Sequence, residues 1–529
     1  MSDSDENEQQ RKIVLPQIIM NVCDTQYQVV RYVGQEILKW KLISEPESWD
    51  WDVYWTDSGV HAEMLSKMKQ HQKVNHFPGM YILARKNNLG KQLTKMRRRF
   101  PKEFKFFPFT WMLPSDAQDL KEYMKGKGRD EILIVKPEAS CQGRGIFLTK
   151  SLDFISPTER YVVQKYLGDP FLIDGLKFDF RIYVLVAGCD PLRIFIYTEG
   201  LARFATEKYI TPHPSNFDDL CMHLTNYAIN KNNENFVFNE DVQRMDIGHK
   251  RSMSSVFEKL KQEGRDIDEL WMDIKQIIIK TLCSAQPFLK HQYTTSQPNN
   301  LMNNMCFEIL GFDIILDNSF KPILLEINHS PSFTTDSPLD QYIKANLIED
   351  ALVLMNVNRE EKYRLIQEKH QEMQKRILTG RNIRMTQEDR KAIIEQYQMI
   401  RDAYEDEHLG GFEKIYPCDE EYETDYYTQF LTYASDIFEE STGTKKVQLP
   451  PNRKITGSPQ KSIKHDAAKI YAQPLRVVVQ SQQLQSRKTK QHTLLYKSMI
   501  QQQIQQEQRK IQIIMKQREQ VQQKQKYIQ

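Results

Sequence analysis

Two stretches of this chain carry residue types and spacings suited to chemistry on phosphates. The first is Ile132-Leu133-Ile134-Val135-Lys136-Pro137, followed by Gln142-Gly143-Arg144-Gly145-Ile146-Phe147-Leu148, which reads as a strand, a glycine loop and a second strand. Glycine lets backbone N–H groups come close to a phosphate, and Lys136 and Arg144 offer it positive charge. A simple hairpin turn has the same pattern, so on these residues alone both readings stand. No helix and no Gly-Lys-Ser/Thr follows, which excludes the loop that cradles phosphate at a helix N-terminus.

The second stretch runs from Gly311 to Asn328, two apolar strands joined by an Asp-Asn-Ser turn. With the turn centred on Ser319 and Phe320, Asp313 is set directly across from Glu326. Opposed carboxylates destabilise a sheet unless a cation or proton lies between them, and period two puts Asn328 on the same face as Glu326. Hard oxygen ligands of this kind suit Mg²⁺ bridging phosphates; the competing reading is an edge hairpin with solvent-facing acids. Lys177, Asp179 and Arg181 share one strand face, as an ordinary surface ladder of alternating charge also would. Arg203 and His223-Leu224-Thr225-Asn226-Tyr227 are further polar residues where a plain strand needs none.

Strands expected at Tyr161–Tyr166, Phe178–Val186, Leu192–Tyr197, Glu308–Leu316 and Pro322–Ile327 must position these groups. Ahead of them, Ile13–Met20, Val29–Val33 and Trp49–Trp55 read as short strands and Glu36–Ile43 as a helix. Lys91–Phe100 carries Lys and Arg at helical spacing, a face that suits either solvent or an acidic partner, and Phe106–Met112 is extended. Between Ile343 and Tyr404 the pattern turns helical; residues 359–401 are basic and residues 402–440 acidic.

The chain has 529 residues, 40% of them hydrophobic, enough for sizeable cores in more than one compact unit. A net charge of +3 hides a segregation, because residues 442–529 hold 18 Lys and Arg against 3 Asp and Glu. That stretch is Gln-, Lys- and Ser-rich with few aromatics, so disorder is expected, with a basic helix possible from Thr493 on contact with a partner. The seven cysteines lie scattered without metal-ligand spacing, which fits a reducing compartment. No apolar run is long enough to span a bilayer, so a soluble intracellular protein is expected. Nothing in the basic tail interleaves aromatics with charge as single-strand nucleic-acid platforms do.

Taken in order, Val135-Lys136-Pro137, Gly143-Arg144-Gly145, Gln164-Lys165-Tyr166-Leu167, Lys177-Phe178-Asp179-Phe180-Arg181, His223-Leu224-Thr225-Asn226 and Glu326-Ile327-Asn328 with Ser330-Pro331-Ser332 resemble the tubulin tyrosine ligase-like family. The resemblance covers residues 53–356. It implies an α/β (α+β) ATP-grasp-like fold, with N-terminal, central and C-terminal catalytic subdomains at 11–75, 76–160 and 161–356. A disordered acidic tail at 1–10, a helical, basic then acidic, microtubule-binding extension at 357–440 and a disordered basic tail at 441–529 complete the expected organisation. In the extension, Arg376, Arg381, Arg384, Arg390 and Lys391 would steer association with acidic tubulin tails.

By the same resemblance, ATP would be bound by Lys136, Gln142, Gly143, Arg144, Gly145, the hinge Gln164-Lys165-Tyr166-Leu167, Lys177, Phe178, Asp179, Thr225 and Asn226. Asp313, Glu326 and Asn328 would hold Mg²⁺, with two ions expected, and Lys136, Arg144, Arg181 and Glu326 would be catalytic. Free L-glutamate would meet Arg203, Tyr227, Ala228, Lys250 and His329; Ala228 stands where the elongating pattern has serine. Gln142 and His329 resemble the polyglutamylase branch that elongates existing chains. The implied activity is an ATP-dependent ligase, acting through an acyl phosphate, that adds glutamate to tubulin tails, most readily those of α-tubulin. The alternatives are an initiating glutamylase or a glycylase, and, from another class, an idle microtubule-binding scaffold. A monomer on microtubules of the cytoskeleton, the cilium axoneme or the basal body is expected, without nucleic-acid or membrane partners.

Overall fold

The computed structural model describes residues 16–443 apart from 127, 129, 139–142, 157, 242–243, 380–385 and 419. The acidic N-terminus, Gln142, Arg381, Arg384, the Arg376 side chain and the tail from residue 444 lie outside the described residues.

Three sheets carry the fold. Strands β1 (Ile19–Asp24), β2 (Lys41–Ile43), β3 (Val53–Thr56) and β4 (Lys73–Val74) form a parallel sheet in the order β2-β1-β3-β4. The strand expected at Val29–Val33 is instead helical, part of a helical run over residues 28–37. Val29, Val30 and Val33 are buried at helical spacing, so a β-branched run was overruled by the single face it had to bury. The helix expected over Glu36–Ile43 accordingly ends before β2.

Strands β5 (Thr110–Leu113), β6 (Leu133–Pro137), β7 (Phe147–Thr149) and β8 (Tyr161–Lys165) form an antiparallel sheet ordered β5-β8-β6-β7. The β6–β7 hairpin carries the glycine loop. Helix Lys86–Arg99 precedes this sheet, turning Leu89, Leu93 and Met96 inward while its arginines crowd the last turn.

The largest sheet has seven strands: β9 (Leu172–Ile173), β10 (Leu176–Cys189), β11 (Leu192–Lys208), β12 (Lys250–Ser252), β13 (Glu308–Leu316), β14 (Pro322–Asn328) and β15 (Phe412–Tyr416). Its path is β12-β11-β10-β13-β14, with β9 on β10 and β15 on β11. Both faces of β10 are covered. Phe178, Phe180, Ile182, Val184 and Val186 enter one core, shared with the 30-residue helix Ile267–Ser296. Tyr183, Leu185 and Ala187 enter another, shared with β1, β3 and helix Pro338–Leu354. The face that buries Tyr183 and Leu185 also bears Arg181, Asp179 and Lys177 nearer the start of the strand, so the charged groups continue a packed face.

Residues 357–440 return to this body. Strand β15 extends the large sheet, and Tyr427 and Phe430 of helix Glu421–Thr442 enter the core beside Phe104. Arg193, 3% exposed, donates to Glu405 at 2.9 Å and also pairs with Asp402, while Arg401 reaches Glu405 at 2.6 Å. These buried pairs tie helix Gln387–Glu407 to β11. Arg390 and Lys391 lie exposed on the same helix.

Candidate functional site

The hairpin β13–β14 pairs Gly311 with Asn328, Phe312 with Ile327 and Asp313 with Glu326, the register expected from the turn. Beyond Asp313 the register slips by one, so Ile314 pairs with Leu324 and Leu325 is the extra residue. This bulge brings Ile323 and Leu325 to the same cleft as Glu326 and Asn328, a re-aiming that strict alternation does not foresee.

Strand pairing then builds a row of charge across the sheet. Lys250 on β12 pairs with Arg203 on β11, Arg203 with Asp179 on β10, Arg181 on β10 with Asp313 on β13, and Asp313 with Glu326 on β14. Arg203 donates to both oxygens of Asp179 at 2.7 Å and lies 2.8 Å from Asp313. Arg181 forks onto Asp313, with one arm at 3.0 Å, and Asn328 sits 3.5 Å from the same carboxylate. Burial alone would raise the Asp313 carboxyl, but Arg181 and Arg203 hold it well below the usual range, so it is ionised.

A cleft of about 230 Å³ opens over this row. The β6–β7 hairpin forms its other wall. Lys136 is buried and donates to Gln164 at 2.6 Å, and Gln164 in turn donates to Thr110 at 3.0 Å. Lys177 donates to Tyr166 at 2.9 Å and to the His223 carbonyl at 2.8 Å. Burial pushes the Lys136 ammonium down to about 8, against the pull of Glu326, and the Lys177 ammonium down to about 7. Thr225 donates to Asp179 at 2.6 Å. Gly143 and Gly145 both have positive φ, and a Cβ at Gly143 would meet Ile229 at 2.4 Å, so the loop needs glycine there.

Of the residues singled out from sequence, Lys136, Gly143, the hinge Gln164 to Leu167, Lys177, Asp179, Arg203, Thr225, Asn226, Asp313, Glu326 and Asn328 all line this one cleft. Arg144 and Gly145 lie exposed beside it at the hairpin turn. Phe178 does not join them. One residue out of phase with Lys177 and Asp179, it is fully buried and stacks on Phe204 at 5.3 Å, so its place is the core. Arg203 was expected to meet the carboxylate of free glutamate; here Asp179 and Asp313, the chain's own acids, face its guanidinium.

Lys250 lies over the Tyr227 ring at 4.0 Å, and Ala228 follows on the short helix Tyr227–Asn230. His329 stands apart. It alternates away from Glu326 and Asn328 into a small second pocket with His76, where it lies 3.9 Å from Glu308. Sequence reasoning missed Lys86, 4.0 Å from Glu326, together with Lys105, Ile134, Ile315 and Ile323. Only the spacing of Ile315, two residues from Asp313 on the same strand, carried a signal for any of these.

The arrangement has a chemical logic. Apolar walls from Ile134 and Ile146 on one side and Ile315, Ile323 and Leu325 on the other suit a planar ring. Besides Lys165, whose ammonium pairs with Glu131, five basic residues line the cleft with three acidic ones, an excess that suits a polyanion. Two carboxylates and an amide, all oxygen donors on one hairpin, fit a hard divalent cation.

Residues 64–365, more than half of the chain, match the profile of the tubulin-tyrosine ligase family. The chain belongs to the tubulin-tyrosine ligase family. It is 54% identical over 461 residues to the "Probable beta-tubulin polyglutamylase" of Tetrahymena thermophila, covering 86% of this chain and 38% of that protein. It is 43% identical over 428 residues to "Tubulin polyglutamylase ttll6" of Danio rerio, covering 80% and 53%. To "Tubulin polyglutamylase TTLL7" of Homo sapiens it is 37% identical over 445 residues, covering 80% and 50%. The chain thus spans from under two-fifths to about half the length of these curated relatives. Family membership accounts for the mixed α/β, ATP-grasp-like architecture, in which the β5–β8 sheet and the large sheet both line the cleft. No described helix is long and apolar enough to cross a membrane.

Proposed function

We propose that this chain is an ATP-dependent ligase that joins free glutamate to glutamate side chains of tubulin tails, extending existing branches. The observation that carries this reading is that Arg203, Asp179, Asp313 and Glu326 of the charged row line one cleft together with apolar and basic side chains. The relatives, named as tubulin polyglutamylases, support glutamate as the amino acid and tubulin as the acceptor.

The apolar walls hold the adenine, and Lys136, Lys177 and the glycine loop meet the phosphates. Asp313, Glu326 and Asn328 would hold Mg²⁺, which when bound neutralises phosphate charge. The residues suit activation of an acceptor carboxylate as its acyl phosphate, then attack by the glutamate amine and release of phosphate. Arg181 and Arg203 keep Asp313 ionised and fixed, so the acidic end of the row does not reorganise during transfer. No side chain acts as a nucleophile.

His329 and Gln142 support extension rather than initiation only through the resemblance. Which tubulin is preferred rests on no residue of this chain; the Tetrahymena relative's name favours β-tubulin over the α-tubulin first expected. Mass spectrometry of α- and β-tubulin tail peptides, bare or bearing one branch glutamate, after incubation with ATP, Mg²⁺ and glutamate, tests the reading. Added glutamate on branched peptides only, lost in Glu326→Gln, is the expected result. Addition to bare peptides makes the chain an initiator, and addition to none removes the ligase reading.

A further inference from the structure

Helix Pro338–Leu354 begins with Ser337 as its cap, whose side chain accepts from the Asp340 backbone N–H. An acid at the third position of a helix ordinarily turns back toward the exposed cap, where it complements the helix N-terminus. Asp340 does something else. It is 0% exposed, and its carboxylate lies 2.7 Å from Lys250 and 2.7 Å from Lys344, with the Ser337 hydroxyl donating at 2.9 Å. Lys344 also donates to the Thr334 carbonyl at 2.5 Å, in the segment that follows the Glu326-Ile327-Asn328 strand end.

Burying one carboxylate between two ammonium groups leaves a positive excess, which is costly unless an anion joins them. Lys250 is the more accessible of the two, its side chain 13% exposed against 5% for Lys344. The Lys250 ammonium lies 4.0 Å over the Tyr227 ring, beside Arg203 on the neighbouring strand, and Arg203 already faces Asp179 and Asp313. Burial, with Asp336 facing it, raises the Tyr227 hydroxyl, which stays protonated and donates to Asp336.

We propose that Asp340 is a positioning residue for the incoming amino acid: it holds the Lys250 ammonium against Tyr227, where it receives a carboxylate of the substrate, and through Lys344 it couples that pocket to the loop after Asn328. This rests on the ligase reading above. Asp340 touches no substrate itself; it acts through Lys250.

The test is calorimetric titration of L-glutamate into protein saturated with a non-hydrolysable ATP analogue and Mg²⁺. Asp340→Asn weakens glutamate binding by about tenfold or more while affinity for the analogue changes by less than about twofold. In a Lys250→Ala background, Asp340→Asn weakens it by less than about twofold further, because the contact it supports is already gone. An Asp340→Asn effect of equal size in both backgrounds, or none in either, overturns the inference. If Asp340→Asn does not fold, Ser337→Ala removes one bond that orients the carboxylate. It then weakens glutamate binding about threefold with Lys250 present and not without it, and no difference between the backgrounds overturns the inference. Failure of the unsubstituted protein to bind glutamate removes the ligase reading and this inference with it; binding that Asp340→Asn leaves intact removes this inference alone.

Discussion

Proton uptake on ATP binding follows directly from two buried ammonium groups. Burial holds Lys136 at about 8 and Lys177 at about 7, so at pH 8 about half of the first and about nine-tenths of the second are neutral. A bound polyphosphate supplies the opposite charge that restores both ammonium groups to the protonated form. From those values, uptake is ~1.4 protons per ATP at pH 8 and ~0.6 at pH 7, and affinity falls about tenfold across that unit. Titration calorimetry with Mg²⁺ and ATP in buffers of different ionisation heat reads the number directly. Lys136→Met lowers uptake at pH 8 by ~0.5 proton. A binding heat independent of buffer at pH 8 refutes the assignment of these lysines to the phosphates. For the ligand-free protein the sign is set by folded values lying below the ordinary value of 10.5: the unfolded chain binds more protons between about pH 7 and 10.5. These two groups therefore destabilise the free protein below pH 7, and stability rises with pH through that window.

Three further outcomes check other parts of the architecture. Gly143→Ala forces a Cβ onto Ile229 at positive φ and lowers ATP affinity at least about tenfold in the same titration, with about 1 kcal/mol lost in unfolding free energy. Phe178→Leu gives up the stack on Phe204 and lowers denaturant-measured stability by about 1–2 kcal/mol, with the KM for ATP changed by less than about twofold. Arg193→Met leaves the buried Glu405 with Arg401 alone and costs about 3 kcal/mol, read as a lower urea midpoint.

Much of the cleft was legible in the sequence because β-structure has period two. Lys177, Asp179 and Arg181 had to share a face, and the turn after Leu316 had to bring Asp313 across from Glu326. What alternation could not supply was which face a motif residue takes when the motif itself alternates, so Phe178 was placed with its polar neighbours. His329, directly following Asn328, alternates to the other face and meets His76. The long helix Ile267–Ser296 has no counterpart among the expected elements, although Ile274, Ile277, Ile278 and Leu282 recur at helical spacing. Lys86 and Lys105 come from elements remote in sequence, and only tertiary packing brings them to the cleft. Likewise β15 follows a basic helix pair and shows no local sign that it completes the large sheet.

In the proposed reaction this cleft joins an amine to a carboxylate by way of a phosphorylated carboxylate. Branch-glutamate peptides labelled with oxygen-18 in the acceptor carboxylate test it most directly, with the released phosphate analysed by mass spectrometry. One labelled oxygen in phosphate is expected for each glutamate added, with ADP as the partner product and neither formed by Glu326→Gln. Glutamate addition with unlabelled phosphate, or with AMP and pyrophosphate as products, would contradict it.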